Sequence, residues 1–171
     1  MSKRIYRHIQ SLLMFLTILV LTTAFYLEYS KGMQPCPLCL MQRLCTVLFG
    51  MFCLMGLCLG TLHRARIVAV FQMLLATFGI YFSGRQIWLQ SLPLDNTHAC
   101  MPSLDMLIQY FSKAQVLTAL FWGTGDCAEV SWSWMGLSMP IWSALYFATM
   151  LLASAVVCWA VGRRLTEIES K

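Results

Sequence analysis

Four long stretches of the chain contain no charged residue, and they dominate its pattern of apolar and polar positions. A helix rises about 1.5 Å per residue, so roughly 20 such residues cross the ~30 Å hydrocarbon core of a bilayer. None of the stretches alternates as a barrel strand does, which favours helices. The pattern predicts an all-α integral membrane four-helix bundle, a single transmembrane domain over residues 1–171, with spans at about 9–27, 44–62, 67–84 and 140–161.

Two loops, about 28–43 and 85–139, are predicted to lie at the same end of the bundle. Pro37 is expected in the first turn of the second helix, because that position needs no backbone N–H donor. The second loop is predicted to carry a short interfacial helix on the membrane surface, since apolar residues recur there with helical spacing. These apolar residues are Leu104, Leu107, Ile108 and Phe111.

Composition and charge agree with a membrane protein. Apolar residues make up 59% of the chain and charged residues 11%, against about 25% charged residues in a typical soluble domain. Eight of the twelve Lys and Arg residues lie in the segments 1–8, 63–66 and 162–171. An excess of Lys and Arg marks the cytoplasmic side, so both termini are expected in the cytoplasm and the two loops outside. The net charge of +5 forms no continuous basic face, which argues against nucleic-acid binding.

The eight cysteines divide evenly between the predicted loops and the predicted spans. An oxidising compartment outside the cell membrane would favour disulfides in the loops. The cysteines within the spans are expected to be packing residues, because a thiol in hydrocarbon keeps its proton. The loop cysteines are Cys36, Cys39, Cys100 and Cys127, and the span cysteines are Cys45, Cys53, Cys58 and Cys158.

Cys36 and Cys39 are separated by two residues, a spacing that indicates a thiol redox centre. Closing so short a gap removes little chain entropy, whereas the second thiol is near enough to resolve a mixed disulfide made by the first. Cys36 is expected at the helix N-terminus, where unpaired N–H groups and the helix dipole lower the pKa of a thiol. For Cys100 and Cys127 a purely structural disulfide stays open. So does an alternative function, a thiolate metal-binding membrane protein that holds zinc or copper with the four loop cysteines.

Arg43 follows Cys39 by four residues and would therefore lie on the same helix face. An arginine at this depth must face protein, water or a ligand. Its guanidinium would donate hydrogen bonds to a bound oxygen or steady a thiolate, although a simple interface anchor is the alternative. Arg85 and Gln86 emerge from the third span at the same level, which predicts a polar pocket shared by the second and third spans.

Three motifs together resemble the DsbB family of bacterial inner-membrane thiol oxidases. They are Pro35-Cys36-Pro37-Leu38-Cys39 with Gln42-Arg43, the segment 84–90 (Gly-Arg-Gln-Ile-Trp-Leu-Gln), and residues 125–129 (Gly-Asp-Cys-Ala-Glu) followed by Met139-Pro140 and Trp142. The resemblance covers nearly the whole chain, including the number and order of the spans. It implies a multi-pass protein of the bacterial cell inner membrane.

The resemblance also implies an activity, a protein-dithiol:quinone oxidoreductase that reoxidises a periplasmic DsbA-type, thioredoxin-fold thiol oxidase. Electrons would pass from the pair Cys100 and Cys127 to the pair Cys36 and Cys39 and then to the membrane quinone pool, with Cys100 making the mixed disulfide with the partner. The expected cofactor is quinone, ubiquinone in preference to menaquinone. The residues expected to bind it are Arg43, Gln42, Arg85 and Gln86.

Overall fold

Four long helices form the framework of the chain. The computed structural model describes residues 3–32, 36–58, 62–91, 113–123, 127 and 133–169. In chain order the elements are α1 (Lys3–Lys31), α2 (Pro37–Cys58), α3 (Leu62–Gln90), α4 (Lys113–Trp122), β1 (Ser133–Trp134), β2 (Leu137–Ser138) and α5 (Met139–Glu169).

Helices α1, α2, α3 and α5 are each long and apolar enough to cross a membrane. The predicted four-helix membrane bundle is therefore confirmed, and the chain is a multi-pass membrane protein. The helices continue beyond the charge-free stretches, because those stretches mark only the part of a helix that lies in hydrocarbon. Glu28, expected in a loop, lies in the last turns of α1, and Arg43 lies in the second turn of α2. The start of α2 at Pro37 is as predicted.

Helices α3 and α5 form the most extensive contact of the bundle. Their approach depends on Gly79, because a Cβ atom built there would lie 2.3 Å from Cδ1 of Phe147. Phe147 is itself fully buried. Within a membrane, helices gain their association from such close packing at small residues rather than from burial out of water.

Helix α1 is fixed in the bundle by polar contacts as well as by packing. The amides of Gln10 and Gln72 exchange two hydrogen bonds, from Gln10 Nε2 to Gln72 Oε1 at 3.2 Å and from Gln72 Nε2 to Gln10 Oε1 at 2.9 Å. Both side chains are fully buried. Nearer the cysteine end, the hydroxyl groups of Thr17 and Tyr146 lie 2.9 Å apart. These contacts set the register of α1 against α3 and α5.

Helix α4 was not predicted, and the predicted interfacial helix over 104–111 lies outside the described residues. The apolar residues of α4 are not confined to one side, which explains why helical periodicity did not reveal it. Ala119 is buried, whereas Leu117 and Trp122 on the same short helix are largely exposed.

Gly123 ends α4 and packs its end against the start of α2 and the end of α3. Its N–H donates to the carbonyl of Ala119 at 2.9 Å, and its φ of +81° is one that favours glycine. A Cβ atom at this position would lie 2.7 Å from Leu38 and 2.8 Å from Leu89. Gly123 is thus required both by its backbone conformation and by the close approach of two neighbouring helices.

A two-stranded antiparallel hairpin leads directly into α5. Strand β1 pairs with β2, with Trp134 opposite Leu137. The turn between them uses positive φ angles at Met135 and Gly136. The Trp134 ring packs against Trp142 in the first turn of α5, with ring centroids 5.3 Å apart.

Candidate redox site at the cysteine end of the bundle

Cys36 caps the N-terminus of α2. Its carbonyl accepts the N–H of Leu40 at 3.1 Å, and its Sγ accepts the N–H of Cys39 at 3.4 Å. Pro37, the first helical residue, lacks an N–H that would otherwise need a partner. The local sequence therefore places the two cysteines on the first turn of a helix, as predicted.

The sulfur atoms of Cys36 and Cys39 lie 3.0 Å apart. This is longer than the ~2.05 Å of a disulfide bond, so Cys36 and Cys39 are free thiols in direct contact. Hydrogen bonds with Cys127 and with Cys39, together with burial, raise the pKa of the Cys36 thiol. This direction is opposite to the lowered pKa expected from the helix N-terminus alone, because neighbouring sulfurs and burial outweigh the dipole here.

Cys127 lies beside this pair although 87 residues separate it from Cys39 and other elements intervene. It is 1% exposed and forms a hydrogen bond with Cys36. Its apolar surroundings combine residues of α2, α3 and α5, namely Leu38, Cys45, Phe82 and Phe147. Cys100, expected to be its partner, lies outside the described residues. The structure thus brings three of the four predicted site cysteines to the same end of the bundle.

Two buried glutamines connect α2 and α3 next to the cysteines. Gln42 Nε2 donates to Gln86 Oε1 at 2.8 Å. Gln86 Nε2 in turn lies 3.3 Å from Cys39 Sγ and 3.6 Å from Cys36 Sγ. The sequence predicted a shared polar pocket for this level of the bundle, and Gln42 and Gln86 do meet there. Their nearest partners are each other and the sulfurs.

Arg43 points towards α1. Its guanidinium forms an ion pair with Glu28 and also donates to the carbonyl of Ala24 at 3.5 Å. It lies over the ring of Phe25, 5.1 Å from the ring centroid. The side chains of Arg43 and Glu28 are 18% and 30% exposed, so the pair is partly shielded from solvent. The positive charge of Arg43 is therefore balanced within the site.

Arg85 is directed away from the cysteines. Its Nε donates to the carbonyl of Trp122 at 3.3 Å, and its guanidinium lies 4.3 Å from the ring centroid of Trp88. These contacts hold it against the end of α4. Arg85 and Gln86 are adjacent in sequence but face different neighbours, as consecutive residues on a helix must.

A cavity of about 90 Å³ lies between α1, α2, α3 and α5, and Arg85 is not among the residues that line it. Its polar wall carries Cys39, Gln42, Arg43, Gln86 and Glu28. A second, mainly apolar cavity of about 460 Å³ adjoins it along α1 and α5. The two share a wall, formed by Val20, Ala24, Leu27, Met139, Ser143 and Tyr146. The arrangement offers a small polar end that continues into an apolar groove.

Sequence reasoning did not identify Glu28 as a site residue. The available signal was the position of a single acid at the end of an otherwise charge-free stretch, at the level of Arg43 on the next helix. Opposite charges at the same depth tend to pair, because an unpaired charge near hydrocarbon is costly. Arg85 shows the converse case, in which the right depth does not bring a side chain into the cavity.

The described residues do not form a recognisable metal centre. Within the described ranges, no group of three or more His, Cys, Asp or Glu side chains is arranged to hold a metal ion. The alternative of a thiolate metal site needs four loop cysteines, one of which lies outside those ranges. Of the three loop cysteines that the structure describes, Cys36 contacts both Cys39 and Cys127, and all three are thiols.

The sequence matches a family model described as "Disulfide bond formation protein DsbB" over residues 6–157. Disulfide bond formation protein B 1 of Pseudomonas aeruginosa is 43% identical over 140 residues, covering 81% of this chain and 86% of that protein. Disulfide bond formation protein B of Stutzerimonas stutzeri is 38% identical over 148 residues, covering 85% and 88%. That of Acinetobacter baylyi is 37% identical over 172 residues, covering 97% and 96%. The similarity therefore extends over the membrane helices and the cysteine cluster.

Proposed function

Since the chain belongs to the DsbB family, we propose that it is a quinone-dependent membrane oxidoreductase that reoxidises a DsbA-type thiol oxidase. Electrons pass from Cys100 and Cys127 to Cys36 and Cys39 and then to quinone. The coarser part of this function, disulfide bond formation by a multi-pass membrane protein, follows from the family and the four membrane-spanning helices. The route and the acceptor are supported by the site.

The contact of Cys127 with Cys36 is the observation that carries the proposal. Thiol–disulfide exchange requires a thiolate to reach a disulfide sulfur directly. When Cys36 and Cys39 are joined, the Cys127 thiolate attacks Cys36 Sγ, a Cys36–Cys127 bond forms, the Cys36–Cys39 bond breaks, and Cys39 leaves as a thiolate. The second thiol of the partner displaces Cys100 from its mixed disulfide, and the freed Cys100 thiolate attacks Cys127, which restores the Cys100–Cys127 disulfide and releases Cys36 as a thiolate. Two electrons have then moved to the Cys36 and Cys39 pair.

The cavity beside Cys39 fits an aromatic acceptor with carbonyl oxygens and an apolar tail. The guanidinium of Arg43 provides hydrogen-bond donors for an oxygen, Cys39 provides the electron-donating sulfur, and the adjoining groove is apolar. A quinone bound there would accept two electrons and two protons. Arg43 keeps its charge throughout, so its N–H groups can donate to an oxygen at every stage, in competition with Glu28. Ubiquinone is favoured over menaquinone as the acceptor.

The distribution of Lys and Arg supports the orientation. The termini and the 63–66 turn carry the excess of basic residues, which supports a cytoplasmic location for them. The cysteine end then faces the periplasm, where a DsbA-type partner with a thioredoxin fold is reached directly. The protein is accordingly assigned to the bacterial cell inner membrane.

Turnover by purified protein tests the proposal. Protein in ubiquinone-containing vesicles should oxidise a reduced DsbA-type protein catalytically, and Cys39→Ser should abolish turnover. Cys58→Ser serves as the matched control, because Cys58 is an exposed thiol at the opposite end of α2. Full turnover by the Cys39→Ser protein would contradict the proposal.

Mapping of trapped disulfides in the same experiment tests the route. Acid quenching during turnover with excess reduced partner should trap a Cys36–Cys127 linkage. The contact between these two sulfurs is the physical reason. If Cys127 were found linked to Cys39 instead, the proposed order of transfer would be wrong.

A further inference from the structure

We propose that Gln86 is a positioning residue for the sulfur of Cys39, and that Gln42 fixes the orientation in which its amide acts. In this role Gln86 stabilises the Cys39 thiolate that leaves when Cys127 attacks Cys36. The inference deepens the proposed function and rests on it only for the step in which this thiolate is used. It also changes the role predicted for the two glutamines, from quinone binding to support of a cysteine.

The orientation of the Gln86 amide follows from its contact with Gln42. Gln86 Oε1 accepts a hydrogen bond from Gln42 Nε2 at 2.8 Å. The other end of the amide, Nε2, is thereby directed to the sulfurs. Turning the Gln86 amide alone would place two N–H groups against each other in a buried position, which is costly. Gln42 therefore selects the orientation in which Gln86 presents a donor to the cysteines.

This orientation of the Gln86 amide favours a Cys39 sulfur that accepts a hydrogen bond. Gln86 Nε2 lies 3.3 Å from Cys39 Sγ, whereas Gln86 Oε1 lies 3.7 Å from it and already accepts from Gln42. A thiolate is a pure acceptor, so a fixed N–H donor stabilises it relative to the protonated thiol. Hydrogen bonds to charged groups are also worth more than those between neutral groups. The buried amide pair thus stabilises negative charge on Cys39.

The two cysteines differ in this respect. Cys36 lies 3.6 Å from Gln86 Nε2, and its pKa is raised by its hydrogen bonds with Cys127 and Cys39 and by burial. Cys36 is therefore the sulfur engaged by a neighbouring thiol, whereas Cys39 is the sulfur nearer to the Gln86 donor. Exchange is faster when the departing sulfur is the more stable thiolate, so the arrangement directs attack to Cys36 and departure to Cys39.

The charged groups near Cys39 balance each other, so a neutral hydrogen-bond donor can still affect the stability of the Cys39 thiolate. Arg43 and Glu28 line the same cavity but neutralise each other. Tyr146, on α5, also lines the cavity and is hydrogen-bonded to Thr17. Cys127 packs in the same cluster as Cys36. Among the described side chains, Gln86 is the one whose N–H donors lie within hydrogen-bond reach of Cys39 Sγ.

The pH dependence of Cys39 alkylation tests the inference without quinone turnover. In a Cys36→Ser background, Cys39 remains a thiol and serine preserves the helix cap. The rate at which iodoacetamide modifies Cys39 is measured against pH by peptide mass spectrometry. Access to the thiol scales the rate equally at all pH values, whereas thiolate stability moves the midpoint of the profile. The midpoint is therefore the informative quantity, because a purely structural role would change only the plateau.

Gln86→Met should raise the midpoint by about one pH unit, a tenfold loss of reactivity at neutral pH, since it removes one hydrogen bond to a charged sulfur. Gln86→Glu should raise it further, because a carboxylate repels the thiolate. Gln42→Met should have a smaller effect, because the Gln86 amide remains but loses its fixed orientation. Gln90→Met, one turn further along α3, is the control and should leave the midpoint unchanged.

An unchanged midpoint in Gln86→Met would overturn the inference. Should that variant fail to fold because Gln42 is left unpaired, the double variant Gln42→Met/Gln86→Met removes both amides and must show the same upward shift. The result is independent of the proposed function. A shifted midpoint in a protein that does not turn over quinone would retain the role of Gln86 and reject quinone as the acceptor. An unchanged midpoint in a protein that does turn over quinone would retain the acceptor and reject the role of Gln86.

Discussion

The reciprocal amide pair of Gln10 and Gln72 should hold α1 in the bundle, and its removal allows a quantitative prediction. We consider Gln10→Leu, Gln72→Leu and the double variant. Leucine has nearly the volume of glutamine, so the changes remove hydrogen bonds while the packing is largely kept. Each single variant leaves the other, fully buried amide without its partner on the facing helix, although Gln72 Nε2 keeps its contact with Cys53 Sγ at 3.2 Å.

The magnitude follows from the two hydrogen bonds, at 3.2 and 2.9 Å. Side-chain hydrogen bonds between membrane helices are worth about 0.6 kcal/mol on average and up to about 1.7. An unsatisfied buried polar group adds a penalty of roughly 1–3 kcal/mol. Each single variant should therefore lose about 2 kcal/mol of unfolding free energy. The double variant should lose about 1 kcal/mol or less, since no orphaned amide remains.

Unfolding in mixed detergent micelles measures these differences. The purified protein is titrated with dodecyl sulfate, and helix content is followed by circular dichroism. Thr77→Val is the control, because the Thr77 hydroxyl is exposed and bonds only to its own helix, at the carbonyl of Met73. It should change the unfolding free energy by no more than about 0.5 kcal/mol.

The decisive quantity is the coupling between the two sites. If the losses of the two single variants simply add in the double variant, the amides do not stabilise each other and the reasoning is refuted. If the double variant is the most stable of the three, the pair acts as one unit whose halves depend on each other. Because α1 also forms one wall of the cavity beside Cys39, the single variants should also lower turnover.

Two further changes test other contacts. Glu28→Gln keeps the shape of the side chain but removes the charge that binds Arg43. It should lower the KM for a short-chain quinone about two- to fivefold, because the Glu28 carboxylate competes with the quinone oxygen for Arg43 and a partly exposed ion pair is worth ~0.5–1 kcal/mol. An unchanged or raised KM would show that the carboxylate does not compete. Gly79→Ala places a Cβ against the Phe147 ring, at 2.3 Å, and should cost about 1–3 kcal/mol in detergent unfolding. Gly84→Ala on the same helix has open space around its Cβ and should be neutral, so equal effects at both positions would contradict the packing argument.

The membrane framework was predictable because the bilayer constrains it strongly. A span must be long and apolar, so four charge-free stretches were enough to identify four helices. Pro37 marked the start of α2 because few other positions in a helix accept proline. The CxxC spacing and the motifs that follow it were local signals, and they pointed to a redox centre and a family.

Contacts between helices were less predictable, because they depend on how each helix is rotated about its axis. Depth in the membrane brought Gln42, Arg43, Arg85 and Gln86 to one level, but rotation decided that Gln86 meets the cysteines and Arg85 meets Trp122. The proximity of Cys127 to Cys36 depends on tertiary structure that no local pattern encodes. Glu28 was overlooked because a loop was expected where α1 continues.

The packing of Gly123 between two helices limits the distance between Cys127 and the cysteine end of the bundle. Gly123 is held between Leu38 and Leu89, and Cys127 follows it by four residues. Four residues extend at most about 14 Å, so the Cys127 sulfur is confined to a small volume around the cysteine end of the bundle. One thiol in a sphere of that radius corresponds to an effective concentration on the order of 0.1 M. In the proposed mechanism, the transfer from Cys127 to Cys36 would thus be intramolecular, and the encounter with the proposed partner protein would be the step that depends on diffusion.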